Sequence, residues 1–225
     1  MKGQFRSLAL LGAMLSGAGL VASADTLVTV DPSAPWQGFM NVFETPANGG
    51  GYVFGSGWGT ADLTAVFTGP VLQLGPNSIN DPNPFWYTPA GFPGCAGNKI
   101  MDANMYVEPV GSLPGQTVTF AGTVLSNTLL PDKHTSVAFI KDFAPDYSSF
   151  VMVSVPMNPG PFSVSLATDG DPARHVQYGF ETIGPDVWIT DVGPFGNVQI
   201  TAPEPTSLGL LAAGALLALR RRRAC

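Results

Sequence analysis

Cysteine, histidine and positive charge are all scarce in this chain. Of the two cysteines, Cys225 follows four arginines at the far end, which leaves Cys95 alone in the body of the chain. An internal disulfide framework is excluded on that count. Cys95 lies in Gly94-Cys95-Ala96-Gly97 with no histidine near it in sequence, so nothing marks it as a nucleophile. A buried small hydrophobe is the expectation there, over an exposed loop thiol, because free cysteine is usually buried. The two histidines, His134 and His175, form no His-Glu-x-x-His pair, and the chain has no Gly-x-Ser-x-Gly elbow. Glycoside hydrolysis needs two carboxylates at a set separation, which a sequence does not show. Catalytic residues are therefore assigned to none of these groups, and the expectation is a protein that is not an enzyme.

The positive charge that exists is concentrated at the ends. Lys2, Arg6, Arg220, Arg221, Arg222 and Arg223 are six of the ten basic residues. Between Asp25 and Ala202 stand Lys99, Lys133, Lys141 and Arg174 against fifteen acids, a net charge of −11. Such a surface repels nucleic acid and anionic lipid, and tolerates divalent cations and neutral polysaccharide.

The N-terminal end reads as a signal peptide over residues 1–24. Lys2 and Arg6 precede an apolar run from Leu8 to Val21, and Ala22-Ser23-Ala24 is an A-x-A site with cleavage expected before Asp25. A membrane-spanning first helix is the weaker alternative, because the run is short and closes in small residues. At the other end, residues 203–225 have three parts. Pro203-Glu204-Pro205 cannot continue a helix, since each proline lacks an N–H and pushes its predecessor towards extended geometry. It reads as an exposed peptide open to a processing enzyme. The thirteen residues from Ser207 to Leu219 are apolar or small, fewer than the ~20 that span a bilayer unaided. Arg220 to Arg223 then stand where positive charge stays cytoplasmic. A frayed hydrophobic terminus is the plain alternative.

This tripartite tail resembles the PEP-CTERM sorting signal of Gram-negative bacteria. The resemblance implies a transient membrane anchor on a short hydrophobic helix, with exosortase and the secretion machinery as partners. It also implies cutting near Pro203-Glu204-Pro205, and a final place at the cell surface or outside the cell, in association with exopolysaccharide or a biofilm matrix.

The remaining 178 residues, 25–202, suit one domain. Sustained helical periodicity is missing. Gly and Pro interrupt short runs rich in Val, Ile, Thr, Phe and Tyr, the composition of strands. The predicted strands are Thr26 to Val30, Phe39 to Phe43, Gly51 to Gly55, Leu63 to Thr68, Val71 to Leu74, Lys99 to Glu108 and Gln116 to Leu125. Further along they are Thr135 to Lys141, Phe150 to Val155, Phe162 to Thr168, His175 to Glu181, Val187 to Asp191 and Asn197 to Thr201. Several alternate with period two: Val118, Phe120, Gly122 and Val124 share a face against Thr117, Thr119, Ala121 and Thr123. One buried and one wetter face marks antiparallel sheet, so an all-β antiparallel sandwich is expected.

Pro114-Gly115 followed by Thr117-Val118-Thr119-Phe120, together with the late Trp188-x-x-Asp191-Val192, is similar to jelly-roll carbohydrate-binding modules of the galactose-binding-like type. That resemblance implies a jelly-roll sandwich and a carbohydrate-binding role, without transferring any binding residue.

The most unusual internal stretch is Asn80 to Pro89, where Phe85, Trp86 and Tyr87 stand together among prolines. Two readings are open. Either the Phe85-Trp86-Tyr87 loop binds glycan, with Trp86 or Tyr87 as the sugar platform, Phe85 as a further candidate contact and Asn83 or Asp81 beside them, or the loop plugs one end of the sandwich with its aromatics. Trp58, set among glycines, is a candidate second platform or a packed turn residue, whereas Trp36 and Trp188 read as core. Acids pair in sequence at Asp169 and Asp171, Asp142 and Asp146, and Asp186 and Asp191, a spacing that can hold a structural calcium. The Asp169-Gly170 pair is also an ordinary turn. By the jelly-roll resemblance, Glu44 and Asp191 are a further candidate ion site. The rival functions are a structural matrix component with no ligand pocket and, last, an exported glycan hydrolase.

Overall fold

The computed structural model describes residues 25–89 and 93–203. Ala22, Ala24, both predicted terminal helices, Glu204, Pro205 and Arg220 to Arg223 lie outside the described residues. Among the described residues, no helix is long and apolar enough to cross a membrane.

The described chain is built of strands. In order they are β1 (Asp25–Thr29), β2 (Gln37–Glu44), β3 (Tyr52–Trp58), β4 (Ala65–Thr68), β5 (Val71–Leu74), β6 (Tyr87–Thr88) and β7 (Ala96–Gly97). Then follow β8 (Lys99–Val107), β9 (Thr117–Asn127), β10 (Thr135–Phe143), β11 (Phe150–Pro156), β12 (Gly160–Ala167), β13 (His175–Pro185) and β14 (Val198–Thr201). Two six-stranded sheets and the small β6–β7 ribbon result.

One sheet is antiparallel throughout, in the order β11-β10-β13-β8-β2-β3. The other is centred on β9. Strand β12 runs along one edge of β9, and β1 and β14 share the other edge end to end. Strand β1 is parallel to β9, Asp25 opposite Thr117, an exception to the antiparallel expectation. Thus the first described residue opens a strand, and the last strand lies inside its sheet, between β9 and β5. Pro203, expected in an exposed peptide, is buried directly after it.

The inner faces meet in one core. Val118, Phe120 and Val124 of β9 and Phe162 of β12 pack towards Met40, Met101, Met105, Ile140, Tyr178 and Phe180 of the antiparallel sheet. Phe120 carries the contact, with its ring centroid 5.2 Å from those of both Tyr178 and Phe180. Burial of large aromatic and aliphatic side chains, at about 1.5–3 kcal/mol each, is what holds the two layers together. Trp36 stacks on Phe180 and Trp188 packs edge-on to Tyr87, so both support the core as expected.

Most of the predicted strands between Thr26 and Thr201 are found, the β6–β7 ribbon is added, and two further differences stand out. Val187 to Asp191 forms no strand. Its backbone bonds loop partners instead, Val187 N–H to Asn77 O and Asp191 N–H to Trp188 O, so no neighbouring strand is available to it. The second difference concerns faces. Strands β8, β10 and β13 are buried on both sides along much of their length, although alternation predicted one wet face. Long polar and aromatic side chains fold over the outer face and cover each other there.

Candidate functional site

The Phe85-Trp86-Tyr87 loop divides its aromatics between interior and rim. Tyr87 is completely buried, and its hydroxyl donates to Ile79 O at 2.7 Å while accepting from Ile79 N–H at 3.0 Å. Its face is not presented to solvent. Trp86 is half-buried against Phe54 and Phe85. Phe85 is the exposed member and lies under Lys99 Nζ, 4.2 Å from its ring centroid. Asn83 and Asp81 are exposed, but each side chain is turned back to cap its own loop: Asp81 Oδ1 accepts from Asn83 N–H and Asn83 Oδ1 from Phe85 N–H. The loop therefore has the features of a plug. Trp58 sits elsewhere, half-buried with Nε1 donating to Ser56 Oγ, and lines a shallow hollow with Asp62, Asp81 and Ile189.

A different face gathers what a binding site needs. The outer surface of the antiparallel sheet carries a groove of about 680 Å³ that crosses five strands. Its walls are Phe39 and Phe43 of β2, Tyr106 of β8, Phe143 of β10, and Phe150 and Met152 of β11, with Tyr147 from the β10–β11 turn. Its floor holds Asn41, Asp102, Asn104, Lys141, Gln177 and Glu181. Period two in each strand creates the arrangement: Phe39, Asn41 and Phe43 point out while Met40 and Val42 point in.

Local backbone features shape the walls. A Cβ on Gly55 would lie 2.7 Å from Tyr52 Oη, 2.8 Å from Asn41 Oδ1 and 2.9 Å from Phe39 Cε1, so these side chains lie across the space that a larger residue would fill. Tyr147 adopts φ +58°, a left-handed conformation that is strained for a bulky residue. The strain is offset by its contacts: the ring stacks on His175, centroids 4.1 Å apart, and the hydroxyl donates to Glu108 Oε1 at 3.0 Å.

The floor is a connected polar network. Asp102 accepts from Asn41 Nδ2 at 3.1 Å and from Asn104 Nδ2 at 2.7 Å. Lys141 Nζ donates to Asn104 Oδ1 at 2.6 Å and pairs with Glu181 at 3.3 Å, over the face of Phe139. Glu181 and Asp102 are neighbours, and burial followed by the Asp102 charge raises the Glu181 pKa against the opposing pull of Lys141. Beyond them Glu108 accepts from Gln177 Nε2 and meets His175 Nδ1 at 2.8 Å.

The acids singled out as calcium candidates have protein partners. Asp142 pairs with Arg174 at 2.7 Å and accepts from Asp169 N–H. Asp146, Asp169 and Asp171 cap their own turns. Glu44 pairs with Lys99, and Asp191 accepts from Gly94 N–H. Among the described residues, no group of three or more His, Cys, Asp or Glu side chains is arranged to hold a metal. Asp186 is the outlying acid: it is buried, accepts from Lys99 N–H at 3.0 Å, and desolvation raises its pKa to about 7. Cys95 is free and half-buried against the core.

Sequence reading missed the groove. The signal was present as an alternation of aromatic and polar residues, Phe39-x-Asn41-x-Phe43 and Asp102-x-Asn104-x-Tyr106, opposite an apolar face. What sequence does not show is that these runs are neighbours. Comparison with family models, with curated proteins and with solved structures gives no match to this chain. Fold and geometry alone define the class: an all-β sandwich that carries an open, aromatic-walled groove across one sheet.

Proposed function

We propose that this is an exported, non-catalytic polysaccharide-associated protein whose ligand lies in the groove of the antiparallel sheet, within a jelly-roll type of sandwich. The observation that carries the reading is the groove itself. Aromatic faces at Phe39, Phe43, Tyr106 and Phe150 suit the C–H faces of sugar rings, and amides and carboxylates between them suit hydroxyls. A net charge of −11 on residues 25–202 disfavours an acidic polymer.

Glycan hydrolysis is the second reading, favoured by the two carboxyls on the groove floor. The terminal signals support export, exosortase processing near Pro203 and residence at the cell surface. Burial of Pro203 at the end of the sheet favours a cut on its C-terminal side.

Retention of the 25–203 segment on a panel of immobilised neutral polysaccharides tests the binding reading. Wild type is expected to be retained by at least one, and Phe43→Ala and Phe150→Ala to lose that retention. Equal retention of the variants sinks the groove. Release of reducing ends during the same incubation would replace binding by hydrolysis.

A further inference from the structure

The acids of the groove are unequally matched with bases. Glu181 has Lys141 at 3.3 Å, and Glu108 has His175 at 2.8 Å. Lys99 and Arg174 are taken up outside the groove, by Glu44 and Asp142. Asp102, at the centre of the floor and half-buried, has no basic partner among the described ion pairs. Its hydrogen-bond donors are the neutral amides of Asn41 and Asn104, and its charged neighbour is a second acid, Glu181, which already takes up Lys141. Two neutral amides hydrogen-bond the carboxylate but leave its charge uncancelled in a half-buried setting, where an opposite charge is worth more than in water.

The surroundings suit a positively charged occupant. Phe39 and Phe43 rise from β2, the strand directly beside Asp102, and Asn41 and Asp102 are opposite each other in the β2–β8 register. Aromatic faces next to a carboxylate attract a protonated amine through both the ring quadrupole and the charge. Lys141 does not compete for this position, since its ammonium is buried between Asn104, Glu181 and Phe139. The negative domain around the groove adds long-range attraction of the same sign.

Resting on the polysaccharide reading above, we infer that the groove selects a glycan bearing free amino groups, with a sugar ammonium seated against Asp102 between the rings of Phe39 and Phe43. The class is a basic amino-sugar polymer rather than a fully neutral or acetylated one.

Three oligosaccharides with the same β-1,4 backbone test it: glucosamine, N-acetylglucosamine and glucose hexamers, titrated calorimetrically against the 25–203 protein. The glucosamine hexamer is expected to bind about tenfold more tightly than the other two, the scale of one half-buried cation contact. That advantage should shrink as salt is raised and as pH passes the amine pKa. Asp102→Asn should abolish the difference between the glucosamine and acetylated hexamers. A wild-type salt titration gives an independent readout if that variant does not fold. Binding of the glucose or acetylated hexamer with no amine advantage, or an advantage insensitive to salt, overturns the inference and leaves the polysaccharide reading standing. Failure of all three hexamers overturns the inference; the neutral-polysaccharide panel then decides the wider reading by itself.

Discussion

Two aromatic regions of this molecule make opposite use of the same residue types. In the Phe85-Trp86-Tyr87 loop, three rings are consecutive in sequence, and the structure spends them on anchoring: Tyr87 inside, Trp86 half inside, Phe85 under Lys99. In the groove, Phe39, Phe43, Tyr106, Phe143 and Phe150 are spread over more than a hundred residues, yet they share one open face. The lesson is that clustering along the chain is a poor guide to a binding surface. A run of adjacent aromatics must place some of them in the interior, because successive side chains point to opposite sides of an extended backbone. Rings on alternate positions of paired strands are held out together by the pleat.

The sharpest way to break that contrast is Tyr87→Ala. Loss of a fully buried ring and its hydroxyl's hydrogen bonds to Ile79 and Val187 should cost about 3–5 kcal/mol, read as a large fall in thermal midpoint. An unchanged midpoint would mean the loop is not a structural plug. Trp86→Ala should lower the midpoint less, by about half of that cost since its ring is half-buried, and leave polysaccharide retention intact. Lost retention with an unchanged midpoint would return the binding site to the loop.

A pH titration of stability separates the regions next. Asp186 lies beneath the loop, beside Tyr87 and Lys99, and its folded pKa is raised to about 7 by desolvation. The native state therefore holds a proton that the unfolded chain has released. The contribution is full below the ordinary carboxylate value of about 4 and is lost as pH rises to about 7. Wild-type stability should decline across that window, and Asp186→Asn should flatten the decline. Glu181, whose pKa is also raised, acts with the same sign in the groove, so Glu181→Gln should remove a further part. A decline that survives both substitutions would place the titrating group elsewhere.

Smaller stability effects belong to the groove and to Cys95. Phe43→Ala and Phe150→Ala remove exposed or half-exposed rings and should cost no more than about 1 kcal/mol while abolishing retention. Cys95→Ser, with no covalent partner to lose, should shift the midpoint least, and an equally small shift under reducing conditions checks that.

Much of this was legible before any coordinates. Most strands fall where Val, Ile, Thr and aromatic runs stand between Gly and Pro, and Val118, Phe120 and Val124 face inward as alternation predicts. Val187 to Asp191 was not legible as a loop, because its composition suits a strand and only the lack of a pairing neighbour decides otherwise. The parallel pairing of β1 was equally hidden, since it depends on β14 taking the other half of the β9 edge.

By itself the sequence determined an all-β body without an internal disulfide, its strong negative charge, and the face each strand residue takes, because side-chain alternation is a local property of extended backbone. Tertiary structure alone decided which strands are neighbours, and so which faces are covered. It turned Lys141 and Gln177 into buried floor residues and brought Asp102 against Glu181. It closed Tyr87 into the core and left Phe150 in the open. Those outcomes follow from long-range pairing and burial, which depend on residues tens of positions away and leave no mark in the local pattern.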